Sequence, residues 1–402
     1  MRFIALTFSF CCAVAIGASA ADRYALWIEP EFPFFSTSLD LRTIQPGAKP
    51  FHVVPRGLVL NLGHDYWACF DTELLRVAAV WRGRGVTPDG LGPLTYQDTH
   101  LKTIGGQEKL PKPDGDIFLV NGVYPGWQTD AEVSLIDPRA PETSAEEPGR
   151  GPLAADSRFQ AVRLGAGGVV LEYTVFGAAV EEWMTASETA VTRNFRIGPS
   201  AQPLKLVHAQ SGGNAGSMHI PARAAAIEIA LEMSEGNKTR AADMAPKPVP
   251  KATRWPQIVT THAVLSTTKD AYVMDDIPLP MDNPWRRNVR LSDIAFLPDG
   301  TAFASAFDGD IWMIRGLGEK LGEVQWRRFA SGLAEPMSLV VRGGETRVGA
   351  RECGGRRAHL QKHGLHGLPF RRRCETAEDR PELAWDFRNE ARDCQSAERE
   401  RR

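Results

Sequence analysis

Leu291-Ser-Asp-Ile-Ala-Phe-Leu-Pro-Asp-Gly300-Thr-Ala-Phe-Ala-Ser-Ala-Phe-Asp-Gly-Asp310-Ile-Trp-Met-Ile-Arg315 is the stretch that decides the fold. Pro298-Asp299-Gly300 and Asp308-Gly309-Asp310 cut it into three short apolar runs. Asp-Gly steps supply the tight turns that antiparallel strands need, so the spacing predicts a meander. Working outward, Val324-Gln-Trp-Arg-Arg-Phe329 reads as a fourth strand and Met337-Ser-Leu-Val-Val341 as the start of a fifth. Roughly 45 residues separate Asp293 from Ser338, the length of one four-stranded propeller blade. A blade buries its faces against two neighbours, so one blade alone cannot close a ring.

Upstream the pattern is again that of strands. Ile227, Ile229, Leu231 and Met233 alternate with Glu228, Ala230 and Glu232, which gives one wet and one dry face. Residues 169–176 form a near-continuous β-branched and aromatic run, the mark of a buried strand. Residues 190–197 and 204–208 follow at short spacing. Such strands predict a β-sandwich-like domain over 21–250, a connector over 251–283 and the first blade of an incomplete propeller over 284–342. The fold class is mainly β. Residues 72–81 stay open between helix and strand: Leu74, Val77, Ala78 and Trp81 match a helical face, while Val77, Val80 and Trp81 also suit a strand. Pro-rich stretches at 138–152 and 234–256 read as loop and linker.

The two ends differ from this body. Met1-Arg2, an apolar run and Ala18-Ser19-Ala20 have the layout of a Sec signal peptide over 1–20, cut after Ala20, with no span in the mature chain. The expectation is export to the periplasm or the exterior. Two of the six cysteines lie in that leader, and Cys353, Cys374 and Cys394 lie in the last fifty residues; no Cys-x-x-Cys is present. From 343 to 402 there are 13 Arg and 1 Lys among 47 basic residues in the whole chain. The apolar periods stop there. Disordered tail and nucleic-acid patch are two readings. Out-of-frame translation of a GC-rich gene explains the abrupt change better, so the tail is expected to be aberrant, whether disordered or out of frame. Net charge is −2 over 402 residues, which excludes a global basic field for nucleic acid.

Leu291 to Gly300, Phe307-Asp-Gly-Asp-Ile-Trp312 and Trp326-Arg-Arg-Phe-Ala-Ser-Gly-Leu-Ala-Glu-Pro336 resemble the first blade of quinoprotein sugar (glucose/sorbosone) dehydrogenase-like propellers. Phe32-Pro-Phe-Phe-Ser36, Pro55-Arg-Gly-Leu-Val-Leu-Asn-Leu-Gly-His-Asp65, Trp67-Ala-Cys-Phe-Asp-Thr-Glu-Leu-Leu-Arg76 and Asn121-Gly-Val-Tyr-Pro-Gly-Trp127 resemble the front of large secreted bacterial proteins. There a domain of unknown function precedes such a propeller, often with a c-type cytochrome domain behind it. For complete relatives the resemblance implies a quinone, calcium, haem c and an electron-accepting cytochrome. It places the catalytic base and the calcium ligands in later blades, so this chain as written is expected to carry no cofactor and no catalysis.

Three sets of residues carry candidate chemistry. His64, Asp65, Cys69 and Asp71 crowd eight positions. A Cys–His pair could act as nucleophile and base, and His with carboxylates could hold a metal. The plainer reading is a Gly-His-Asp turn entering a strand with a small buried thiol. Trp67, Tyr124 and Trp127, with Tyr66, could stack on sugar rings, Trp127 being the expected exposed one, or they could be sandwich core. Asp308 and Asp310 could ligate calcium, or serve the turn. Arg286 and Arg287 read as a surface pair. His359, His363 and His366 have metal-like spacing but lie in the anomalous tail. The reading is therefore an exported, non-catalytic member of the sugar-dehydrogenase-like group. The alternative is a non-enzymatic carbohydrate- or partner-binding protein, and a Cys–His hydrolase ranks behind both.

Overall fold

The computed structural model describes residues 29, 32–42, 52–88, 110–129, 132–140, 150–209, 215–234, 238–250, 254–318, 321–342 and 345–350. The expected leader over 1–20 and the tail beyond 350 lie outside them. Among the described residues there are strands and no helix, arranged in antiparallel sheets of which none closes.

The front of the molecule is built on two large sheets. The first runs β1 (Phe34–Asp40), β2 (Val53–Gly63), β3 (Tyr66–Asp71), β4 (Arg76–Val86) and β5 (Pro113–Val120), in that order. Its strands are apolar nearly throughout because both faces are buried. Leu58, Leu60, Ala68 and Phe70 enter the main core, while Val59, Trp67, Cys69 and Trp81 enter a second core on the opposite face.

Seven strands make the second sheet, in the order β14 (Lys238–Ala241), β13 (Ile227–Ser234), β10 (Ala190–Ile197), β9 (Ala178–Ala186), β8 (Gly168–Val175), β7 (Arg158–Ala166) and β15 (Val249–Pro250). Leu171, Tyr173, Val180, Val191, Phe195 and Leu231 carry its face into the main core. A small sheet of β12 (Ala215–Ile220), β11 (Leu204–Ala209) and β6 (Trp127–Gln128) closes one side through Trp127, Leu204 and Leu206. This is a sandwich in which residues 227–233 form a strand as expected, with Leu231 and Met233 in the main core and Glu228 exposed, and β13 pairs residue by residue with β10.

Residues 72–81 resolve into a turn followed by β4. The helical spacing has a physical origin. Cys69 faces Ala79 and Phe70 faces Val77, so Ala78 is the extra residue of a β-bulge. A bulge shifts the side-chain parity of a strand by one, which turns period 2 into something close to i, i+3.

The sheet read from the sequence as a blade, and called so below, has the order β16 (Ile258–His262), β20 (Glu323–Ala330), β19 (Ile311–Arg315), β18 (Ala302–Ala306) and β17 (Leu291–Phe296). Strands β17 to β20 are the expected meander. The turns close as the Asp-Gly chemistry requires: Gly300 N–H donates to Leu297 O at 3.0 Å, and Gly309 N–H to Ala306 O at 2.8 Å. Two boundaries shift. The connector is not merely a linker, because its β16 pairs along β20 from Ile258↔Arg327 to His262↔Glu323. β21 (Pro336–Arg342) pairs with β22 (Glu345–Ala350), so strand structure runs past the boundary expected at 343.

Blade and sandwich share a core. Phe303, Met313, Phe329 and Leu333 belong to the same cluster as Phe34, Trp255 and Trp127. Gly332 ties the two backbones together. Its carbonyl accepts Ser36 N–H at 2.7 Å, and Ser36 Oγ in turn accepts Ala334 N–H at 2.7 Å. Gly332 has φ +81°, and a Cβ there would lie 2.7 Å from Phe34 O. Only glycine tolerates both demands.

Candidate functional site

The richest concentration of charge is a hub at the seam between blade and sandwich. It forms because the β18–β19 turn points its two aspartates inward. Asp310 is fully buried and accepts from Arg287 Nε at 2.7 Å, Arg328 Nη2 at 2.9 Å and Ser331 Oγ at 2.7 Å. Asp308 clamps Arg290 through Nε at 3.0 Å and Nη2 at 2.8 Å, and its backbone carbonyl accepts Arg287 Nη2 at 2.8 Å. Arg328 reaches across the seam to the Glu29 carboxylate, with its Nη1 donating at 3.1 Å. The same guanidinium lies 4.3 Å from the Trp255 ring centroid, and Trp255 stacks on Phe32 at 5.6 Å. Burial pushes the Asp310 carboxyl up, but Arg287 and Arg328 together outweigh it and hold it below the usual carboxylate range.

This geometry corrects two expectations. Arg287 is buried, not a surface residue, because it is the inner counter-ion of the turn. Asp308 and Asp310 do not fit a calcium site. Calcium needs six to eight oxygens, and guanidinium groups occupy the approach to both carboxylates. Among the described residues no group of three or more His, Cys, Asp or Glu side chains could hold a metal ion. His359, His363 and His366 lie outside the described residues.

The front candidates do not meet. His64 and Asp65 are the two central residues of the β2–β3 hairpin, with φ +52° and +60°, between Gly63 and its partner Tyr66. Both are exposed. Cys69 is four residues further along β3 than Asp65 and lies in the second core, where burial pushes its thiol far up. A buried neutral thiol some 13 Å along a strand from an exposed turn has no base to activate it. The nucleophile–base reading therefore fails on geometry. Asp71 instead pairs with buried Arg76 at 3.1 Å.

The aromatic candidates are buried as well. Trp67 donates its indole N–H to Gly83 O at 3.0 Å, and the Tyr124 hydroxyl meets Asn121 Oδ1 at 2.7 Å. Trp127, expected on an exposed loop, is 1% exposed and packs edge-on to Phe195 at 5.8 Å. Pro125-Gly126 places it there: Gly126 sits 2.3 Å (as an added Cβ) from Leu75 O, so the loop is pressed against the sandwich. None of the three presents a ring face to a sugar.

A second buried charge cluster went unread in the sequence. The Tyr173 hydroxyl donates to Glu182 Oε2 at 2.7 Å, and Arg193 Nε donates to Glu182 Oε1 at 2.6 Å. All three are essentially inaccessible. The signal was present: Glu182 shares parity with Val180 and Met184, and Arg193 with Val191 and Phe195, so opposite charges sit on the inward faces of neighbouring strands.

With this geometry in hand, comparison with known proteins adds one finding. Residues 68–182 match a domain of unknown function (DUF6797). The matched stretch runs from β3 into β9 and so spans both sandwich sheets, including Tyr173 and Glu182 but not Arg193. No curated protein and no solved structure matches the chain. No helix among the described residues is long and apolar enough to cross a membrane.

Proposed function

We propose that this chain is an exported, non-catalytic protein whose sandwich seats the first sheet of a sugar-dehydrogenase-like propeller and offers that sheet's inner-strand side to a further β-sheet. The observation that carries the reading is the exposed apolar set on that side: Ile294 and Phe296 on β17, and Met337 and Val340 on β21. β21 begins beside β17, where Leu339 N–H donates to Asp293 Oδ2 at 2.8 Å. Four exposed large apolar side chains on two strands that meet through Asp293 and Leu339 have the character of an interface. Asp308 and Asp310, the carboxylates of the buried turn, are engaged with arginines, which suits a structural role for them. Quinone, calcium and haem are implied only for complete relatives, and no step is assigned to them here.

The test has two arms. Full-length chain supplied with quinone and calcium should show no sugar-dependent reduction of an acceptor dye; turnover at any measurable rate would refute the scaffold reading. Phe296→Asp with Ile294→Asp should lower binding of a hydrophobic fluorescent dye without lowering the melting temperature. Unchanged dye binding, or a collapse of the fold, would show that this side is not the free interface.

A further inference from the structure

A separate apolar surface lies in the loop between β16 and the blade. Residues 264–276 leave and rejoin the fold at one point: Val264 N–H donates to Asp276 O at 2.8 Å and Asp276 N–H to Val264 O at 3.0 Å. Two side chains fix the interior. Asp275 Oδ1 accepts Ser266 N–H at 2.8 Å, and Ser266 Oγ accepts Thr268 N–H at 3.1 Å. The roots are held in the blade. Ala263 N–H donates to Gly322 O at 2.8 Å, and Ile277, Leu279 and Met281 pack on the blade core. This is a closed loop of the Ω type, anchored at both ends and shaped by its own hydrogen bonds.

Such a loop would be expected to turn polar groups outward. It does the opposite. Tyr272 is 94% exposed, Met274 84% and Val273 51%, with Val264 and Leu265 exposed at the base. These are five of the thirteen large hydrophobics exposed among the described residues, gathered in thirteen positions. Around them stand Asp270, Asp275 and Asp276, all exposed, against a single Lys269.

We infer that the 264–276 loop is a docking element that inserts Tyr272 and Met274 into an apolar pocket of a partner protein whose rim carries Lys and Arg. Tyr is a preferred interface anchor, and Met adapts to irregular pockets. Holding the loop in shape beforehand removes much of the ordering cost of binding. The acidic surround selects a basic rim and disfavours an anionic bilayer. The inference is independent of the proposed propeller interface, since the loop follows β16, at the opposite edge of the sheet from β17.

The experiment uses immobilised full-length chain and the soluble proteome of its own source cell, read by quantitative mass spectrometry. Wild type is compared with Tyr272→Ser/Met274→Ser and with Asp270→Asn/Asp276→Asn. The expected result is a protein whose retention falls about tenfold in the first variant, the loss typical of removing an interface anchor. Retention should fall less in the second variant and weaken as salt is raised. The purified partner should then bind with the same dependence. Retention that is equal for wild type and the tip variant overturns the inference, as does retention of nothing. Tip-dependent binding that ignores charge and salt overturns the basic rim. Tip-dependent adsorption to anionic vesicles, or tip-dependent self-association of the purified chain, overturns the protein partner in favour of a bilayer or a second copy. Both variants should melt with wild type, because the altered side chains are exposed and the Val264–Asp276 closure uses backbone groups only.

Discussion

Two hairpin turns in this chain have nearly the same chemistry and opposite fates. Gly63-His64-Asp65-Tyr66 and Phe307-Asp308-Gly309-Asp310 each join two strands with glycine and aspartate. The first turn projects into solvent with both central residues exposed. The second is buried at the seam, where Arg287, Arg290 and Arg328 converge on it. Turn residues therefore fix a local backbone, and what a carboxylate does there is set by elements far away in sequence. Arg328 is 18 positions from Asp310, and its other partner, Glu29, is 299 positions from it.

The sharpest way to break the comparison is to remove a carboxylate from the buried turn. Asp310→Ala leaves Arg287 and Arg328 facing each other in a dry seam. Loss of one partner from such a buried pair costs about 3–5 kcal/mol. A matching drop in the urea midpoint is expected, with unchanged slope if the chain still unfolds as one unit. A loss below about 1 kcal/mol would mean that water enters the seam and that Asp310 is no more structural than Asp65.

A second contrast lies between histidines. His64 is exposed, whereas His52 is buried immediately before β2. Burial, reinforced by Arg76 and opposed by Asp40, lowers His52 from 6.5 to about 3. The folded state keeps His52 neutral, while the unfolded chain takes up a proton once pH drops below 6.5. Stability should thus fall as pH is lowered from 6.5 toward 3, by at most about 1.4 kcal/mol per unit. Asp310 behaves differently, because its folded value lies below the ordinary 3.8. Its contribution is whole above 3.8 and is lost only as pH falls through the lower folded value. Denaturation measured between pH 6.5 and 4 should therefore flatten in His52→Gln and keep its slope in Asp310→Asn. The reverse pattern would place the acid sensitivity in the hub.

What the sequence made legible follows from the range of the interactions involved. Strands, Asp-Gly turns and the meander of the blade were readable because alternation and turn preference act over a few residues. The bulge at Ala78 was not, because one extra residue in a strand imitates a helical period. Burial of Trp127 was hidden by its Pro-Gly neighbours, which look like an exposed loop yet press the indole into the core. Arg287 looked like a surface cation because its counter-ion comes from another turn. The Glu182–Arg193 pair could have been found by comparing inward parities of adjacent strands, but only after their register was known.

The smallest effect is expected at the exposed turn, and it is the cleanest test of the contrast. His64 and Asp65 both take positive φ, the geometry of a two-residue type I′ hairpin. An L-residue other than glycine pays for that conformation, and glycine does not. Asp65→Gly should relieve the strain at one position while adding freedom to the unfolded chain, for a net gain of a few tenths of a kcal/mol. Asp310→Gly, at the residue that closes the other turn, should instead cost as much as Asp310→Ala. Opposite signs for one substitution in two similar turns would establish that tertiary charge pairing separates them. A large loss from Asp65→Gly would show that the exposed carboxylate has a partner after all, and would reopen the β2–β3 hairpin tip as a site.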